Sequence, residues 1–176
     1  MNRADGGPEA RGGAAFLLAQ LGAHAAGRFA ERLAGLDLTP AQAGLLRHLA
    51  QNPGRSQREL ADDLGMLPSR FVPFVDELEE RGLIERRKNP RDRRLYALHL
   101  TPQGLDLLTA LLDVAADHEQ QICQALTRAE HQQLSALLRR IADQHELSPG
   151  IHPGYRWSQP RRSRGGAPTS RADGAG

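Results

Sequence analysis

The residues of this chain best suited to chemistry are cations, and they concentrate in one short segment. Residues 85–94 hold six cations and two anions, a local charge of +4. Asn89-Pro90 at the centre is a turn signal, and the flanking residues suit short strands, so we expect a β-hairpin. An arginine-rich hairpin can follow a phosphate backbone and place a guanidinium in a minor groove. The segment therefore predicts DNA contact, the alternative being a solvated charged face.

Two short helices are predicted in front of this hairpin. Ser56 and Glu59 form a capping box that opens the first helix, and Gly65 suits the turn that ends it. Pro68 suits the first position of the second helix. That helix has one apolar stripe at helical spacing: Phe71, Phe74, Val75 and Leu78. Helix, turn, helix and hairpin predict a winged helix-turn-helix, whose second helix enters the major groove.

Three segments also carry a likeness to a known family. They are residues 59–61 leading to Gly65, residues 78–86, and residues 89–94 running into residues 100–104. On these segments the chain resembles the multiple-antibiotic-resistance regulator (MarR) family over about residues 14–147. The resemblance implies a homodimeric regulator of transcription, a repressor relieved by a small aromatic or phenolic ligand. It also implies that Asp92 holds Arg94 in a pose directed at DNA.

The predicted DNA-contacting residues lie on the second helix and on the hairpin. They are Ser69, Arg70, Pro73, Arg86, Lys88, Arg91, Asp92, Arg93 and Arg94. Pro73 departs from the family pattern, because related proteins often have a polar, DNA-facing side chain there. The Pro73 nitrogen also carries no hydrogen, so it cannot donate a hydrogen bond to the Ser69 carbonyl. We therefore expect the helix to kink or its first turn to tighten.

Outside these elements the pattern is helical, which predicts a mainly α fold with a small β wing. Caps at Thr39, Thr101 and Thr127 mark three further helix starts. We expect residues 39–101 to form the winged helix-turn-helix and residues 14–38 and 102–147 to form a helical dimerisation region. The helices of the dimerisation region have more apolar surface than a small winged domain can cover. This favours pairing with a second copy of the chain. Residues 1–13 and the basic tail, residues 148–176, are expected to be disordered.

Charge is segregated along the chain although the total is only +2. Residues 14–147 have a net charge of −2. Without the hairpin, whose charge is +4, the rest of that region has a net charge of −6. A positive wing on an acidic body focuses association through one surface. The partner expected is duplex DNA with a pseudo-palindromic site. The alternative function is a winged-helix interaction module that docks an acidic protein, which would have no need of Asp92 among arginines.

Enzymatic and metal-binding motifs are not evident in the sequence. It has no glycine-rich phosphate loop, nucleophile elbow or HExxH motif, so we expect neither an enzyme nor a cofactor. The seven histidines are scattered, and we expect no cysteine or carboxylate at ligand spacing from them and no metal site. The single cysteine, Cys123, is interpreted as a small buried hydrophobe.

The resemblance places an effector cleft between the dimerisation and winged parts. His24, Arg28 and Arg47 are the polar candidates for it. No apolar run approaches the ~18–20 residues that a membrane span needs, and no signal peptide is evident at the start. The expected location is the cytoplasm, without a membrane partner.

Overall fold

The computed structural model describes residues 12–88, 96–147 and 150. The elements are α1 (Ala14–Ala34), α2 (Pro40–Gln51), α3 (Gln57–Leu64), α4 (Pro68–Glu80), β1 (Ile84–Lys88), β2 (Tyr96–Leu100), α5 (Pro102–Ile122) and α6 (Arg128–Gln144). The mainly α fold with a small two-stranded sheet confirms the predicted class. None of the helices in these residues has the length and apolar character to cross a membrane.

The helix starts follow the predicted capping residues. Ser56 Oγ accepts from the Glu59 amide at 3.2 Å, and the Glu59 carboxylate accepts from the Ser56 amide at 2.7 Å. The Glu59 carboxylate accepts a second hydrogen bond from the Ser56 hydroxyl at 2.8 Å, and the bond from the Ser56 backbone and then this one lower the pKa of Glu59. Thr127 and Glu130 form the same reciprocal box at the start of α6. α3 ends at Gly65 in the left-handed conformation, with φ 64°.

The core is built mainly from leucines of the winged part. Its largest fully buried side chains are Phe71, Leu33, Leu45, Leu46, Leu49, Leu60, Leu64, Leu78, Ile84, Leu98 and Val75. The predicted stripe of α4 is confirmed for Phe71, Val75 and Leu78, whereas Phe74 is half-buried. Because this stripe faces the core, the opposite side of α4 faces solvent.

The base of the hairpin is anchored on both sides. β1 and β2 pair antiparallel from Ile84 opposite Leu100 to Lys88 opposite Tyr96. Thr101 Oγ1 donates to the Gly82 carbonyl at 2.6 Å and accepts from the Gly104 amide at 3.0 Å. The start of α5 therefore holds the end of α4 and the base of the sheet in one fixed arrangement.

The long helices α1, α5 and α6 present apolar side chains to solvent. α1 packs on α5 and α2, but α6 has no buried side chain within the part of the chain described. Large exposed apolar residues on these helices are Phe16, Leu17, Leu18, Leu21, Leu105, Leu112, Leu134, Leu137, Leu138 and Ile141. One chain alone leaves this surface in water.

Candidate nucleic-acid interface

The side chains of the first turn of α4 are exposed to solvent. Pro68 occupies the first helical position, and Ser69 and Arg70 follow it on the surface. Pro73 is also exposed, on the side away from the buried stripe. α4 runs without interruption from Pro68 to Glu80 through Pro73, so the proline does not end the helix. Pro68 has no amide hydrogen and the Arg70 amide donates to the Leu67 carbonyl at 2.9 Å. The positive end of the helix dipole and the exposed Arg70 side chain favour an anion such as a phosphate.

The second half of α4 has the opposite charge. It carries four carboxylates: Asp76, Glu77, Glu79 and Glu80. Gln42 of α2 donates to Glu77 at 2.8 Å, which ties one of them to the neighbouring helix. Because DNA repels carboxylates, this charge distribution favours an approach in which the Arg70 end of α4 leads and the acidic end stays away from phosphates.

Arg86 of β1 joins the wing to this acidic half. Its guanidinium forms ion pairs with Asp76 and Glu79, and Nε lies 3.5 Å from Gln57 Oε1. The Arg86 backbone amide also donates to Glu79 at 3.2 Å. The side chain is only 20% exposed. Arg86 is therefore an internal link between the wing and α4 rather than a free cation, and its predicted contact with DNA stays a prediction.

A groove separates α4 from the wing. It encloses about 730 Å³ and is lined by Gln57 and Arg58 of α3, Val72 of α4 and Tyr96 of β2, among others. Arg58 is exposed at the second position of α3, and the sequence reasoning did not single it out. Its position in the first helix of a helix-turn-helix is the signal that could have found it, since that helix crosses the DNA backbone.

The cations at the end of the wing fall into two groups. Lys88 is exposed at the last position of β1, and the exposed Arg87 pairs with Glu85. Arg91, Asp92, Arg93 and Arg94, also predicted to contact DNA, lie outside the described residues. The described part of the wing thus brings Lys88 to the end of the sheet nearest the turn.

Comparison with known proteins decides the family. A family model described as the MarR family matches residues 36–95. A Thauera aromatica protein assigned as the transcriptional regulator of the hcr operon is 38% identical over 112 residues, which is 64% of this chain and 68% of that protein. The chain belongs to the MarR family of transcriptional regulators.

Solved structures agree with this assignment. The transcriptional repressor CouR bound to a 23-mer DNA duplex is 34% identical with a TM-score of 0.67, and the match covers 80% of this chain and 99% of CouR. CouR bound to p-coumaroyl-CoA is 33% identical with a TM-score of 0.62 and similar coverage, 80% and 98%. The MarR-family fold found here is therefore one that binds DNA in CouR.

A cationic cleft lies between α1 and α5 of this MarR-family chain. It encloses about 380 Å³ and is lined by His24, Arg28, Arg32, His118 and Gln121, among others. The structure thus brings together His24 and Arg28, two of the three effector candidates. The third is elsewhere, because the Arg47 guanidinium donates to the Gly150 carbonyl at 2.6 Å.

The His118 ring is half-buried in this cationic cleft. Burial and, after it, the positive charge of Arg32 lower its pKa. Its ring also packs against Phe29, with the two ring centroids 5.1 Å apart. A cleft with two guanidiniums, two imidazoles and an aromatic ring alongside can bind an anion that has an apolar part.

The expectation that no cysteine or carboxylate lies at ligand spacing from a histidine was wrong. Glu119, Cys123 and His131 have ligand atoms that all lie within 4.8 Å of one another. The sequence reasoning started from the scattered histidines and overlooked that Glu119 and Cys123 are four residues apart on a predicted helix. Cys123 is half-buried at the C-terminal cap of α5 rather than in the core.

Proposed function

We propose that this MarR-family protein is a homodimeric repressor that binds a pseudo-palindromic duplex. The first turn of α4 enters the major groove, and the wing lies along the backbone and the minor groove. The observation that carries this proposal is the charge distribution around α4. Its exposed N-terminal end holds Arg70, while the Arg86 guanidinium forms ion pairs with two carboxylates of its other half.

The residues proposed to contact DNA come from three elements. Ser69, Arg70 and Pro73 of α4 face the base edges, and Arg58 of α3 and Lys88 of β1 face phosphates on either side. The wing residues Arg91, Asp92, Arg93 and Arg94 complete the proposed set. Phosphate contacts fix the register, whereas the contacts of α4 supply the sequence preference.

Dimerisation through α1, α5 and α6 is supported by their exposed apolar side chains. Fully covering one leucine-sized side chain contributes about 1.5–3 kcal/mol. Leu137, Leu138 and Ile141 lie at helical spacing on α6, so they share one face that a second α6 can cover. A two-fold axis there would present two α4 helices to successive major grooves, about one helical turn apart.

The cationic cleft is proposed to bind the effector, and the occupied form is proposed to release DNA. Its arginines and histidines suit an anionic small molecule. The likeness to CouR makes a phenolic CoA thioester the first ligand to test. A cleft of about 380 Å³ would hold only part of such a molecule.

The DNA and dimer proposals are tested by footprinting and sedimentation. Selected DNA sites should contain two half-sites ~10 bp apart, both protected by a dimer. Leu137→Glu should give a folded monomer with weak DNA binding, whereas Asp143→Lys on the same helix should stay dimeric. A parent protein that sediments as a monomer at micromolar concentration, or protects one half-site only, would contradict both proposals.

The effector proposal is tested with p-coumaroyl-CoA and labelled operator DNA. Addition of the thioester should lower the fluorescence anisotropy of the labelled DNA as it is released. Arg32→Ala should weaken this response, and Arg47→Ala is the matched control because it lies outside the cleft. Release that is equally strong in Arg32→Ala would show that the ligand binds elsewhere.

A further inference from the structure

Three side chains with different donor atoms meet where α5 turns into α6. Glu119 and Cys123 lie on one face of the last turn of α5. His131 lies in the first turns of α6, and its Nε2 is 2.6 Å from Glu119 Oε1. The carboxylate oxygen, the cysteine sulfur and the imidazole nitrogen all lie within 4.8 Å of one another.

The backbone around these side chains is fixed by short-range hydrogen bonds. The Cys123 amide donates to the Glu119 carbonyl at 3.1 Å, and the Leu126 amide donates to the Cys123 carbonyl at 2.9 Å. The capping box of α6 and the 2.9 Å bond from the His131 amide to the Thr127 carbonyl fix the other side. The three donors are therefore brought together by the fold rather than by mobile loops.

The donor types select one class of cation. Zinc accepts thiolate, imidazole and carboxylate ligands, whereas magnesium and calcium prefer oxygen alone. Tetrahedral zinc with ordinary bond lengths sets its ligand atoms ~3.5 Å apart. Glu119 Oε1 and His131 Nε2 are closer than this, at 2.6 Å, and no separation among the three ligand atoms exceeds 4.8 Å. Rotation of the exposed Glu119 and half-buried Cys123 side chains can bring all three atoms to zinc-binding distances.

We propose that Glu119, Cys123 and His131 bind one divalent cation of the zinc class. The site opens into a cavity of about 750 Å³, which leaves room for water as the fourth ligand. Arg128 also lines this cavity, but its exposed guanidinium can turn to solvent. A bound cation would tie α5 to α6, so it would fix the angle between two helices of the proposed dimerisation region.

Cobalt(II) titration of the reduced, untagged full chain tests this site. We expect a thiolate-to-cobalt charge-transfer band that saturates at one cobalt per chain and disappears when zinc is added. Cys123→Ser should abolish the band. Glu119→Gln and His131→Asn should each weaken zinc binding by more than about tenfold, measured by competition with a chromogenic chelator.

Two variants outside the triad serve as matched controls. Asp117→Asn removes another carboxylate of α5, and His145→Asn removes another histidine beside α6; both should keep the parent's affinity for zinc. Circular dichroism without metal checks that every variant is folded. The proposal is overturned if the parent gives no thiolate band, if Cys123→Ser binds zinc as tightly as the parent, or if the controls lose as much affinity as the triad variants.

Discussion

Replacing Arg86 separates two roles that a cation near DNA can have. The structure places its guanidinium against Asp76 and Glu79, with Gln57 beside it. In this position its charge is already paired with two carboxylates, so we expect it to make no phosphate contact. Arg86→Ala should therefore weaken DNA binding by loosening the wing and by exposing two carboxylates, without the loss of a phosphate contact.

The loss of stability expected for Arg86→Ala depends on how exposed the paired side chains are. Asp76 and Glu79 are 46% and 35% exposed, so each pair contributes within the ~0.2–1 kcal/mol of partly solvated ion pairs. The low exposure of Arg86 and the repulsion between the two carboxylates left behind raise the total. We expect the free energy of unfolding to fall by about 1–3 kcal/mol. Arg87→Ala is the matched control, because its pair with Glu85 is more exposed and its loss should cost under about 0.5 kcal/mol.

Urea unfolding measures the stability change, and fluorescence anisotropy at several salt concentrations measures DNA affinity. A lost phosphate contact flattens the dependence of log affinity on log salt by about one unit. Arg86→Ala should lower affinity at every salt concentration and keep the parent's slope, whereas Lys88→Ala should lower the slope. If Arg86→Ala flattens the slope like Lys88→Ala while its stability is unchanged, Arg86 contacts phosphate and the role as a link is wrong.

Three further predictions concern the wing base, base recognition and the cationic cleft. A Cβ at Gly104 would lie 2.0 Å from the Leu83 carbonyl oxygen. Gly104→Ala should therefore lower the free energy of unfolding, measured in urea, by about 1–3 kcal/mol. Gly22→Ala is the control and should not destabilise the protein, because Gly22 has open space around it. Arg70→Ala should cost ~1–3 kcal/mol of DNA binding and relax preference at one base position; equal losses on specific and random DNA would reduce Arg70 to a phosphate contact. Burial lowers the pKa of His118, and a bound anion would raise that pKa because it favours the charged ring. Calorimetry should therefore show tighter effector binding as pH falls through the His118 pKa of the complex, and His118→Gln should weaken this trend.

Features of the fold that depend on local chemistry could be predicted from the sequence. The capping box at Ser56 and the left-handed glycine at Gly65 need only residues a few positions apart, and both are confirmed. The buried stripe of α4 follows from helical periodicity, because one face must enter the core. These signals are short-range, so a single sequence contains them.

The surroundings of Arg86 and His131 could not be predicted, because they depend on contacts between different elements of the fold. Arg86 was predicted to contact DNA because it belongs to a basic run, but its partners lie seven and ten residues earlier, on α4. His131 was interpreted as a scattered histidine, because its approach to Glu119 depends on how α6 folds back after α5. The charges and spacing within a short segment do not show which oppositely charged side chain the tertiary fold places beside a given residue.

The link through Arg86 also bears on how α4 can approach DNA. Asp76 and Glu79 would repel phosphates if they were unpaired, and they lie on α4, the helix proposed to enter the major groove. Because the first strand of the wing supplies the cation that pairs with both, we expect the wing to stay seated against α4 when the helix lies close to the DNA backbone. In the structure, Thr101 and Gly104 hold the base of that wing to the start of α5. A displacement of α5 by a ligand in the cationic cleft would thus be transmitted to the wing base, and through Arg86 to the charge balance of α4.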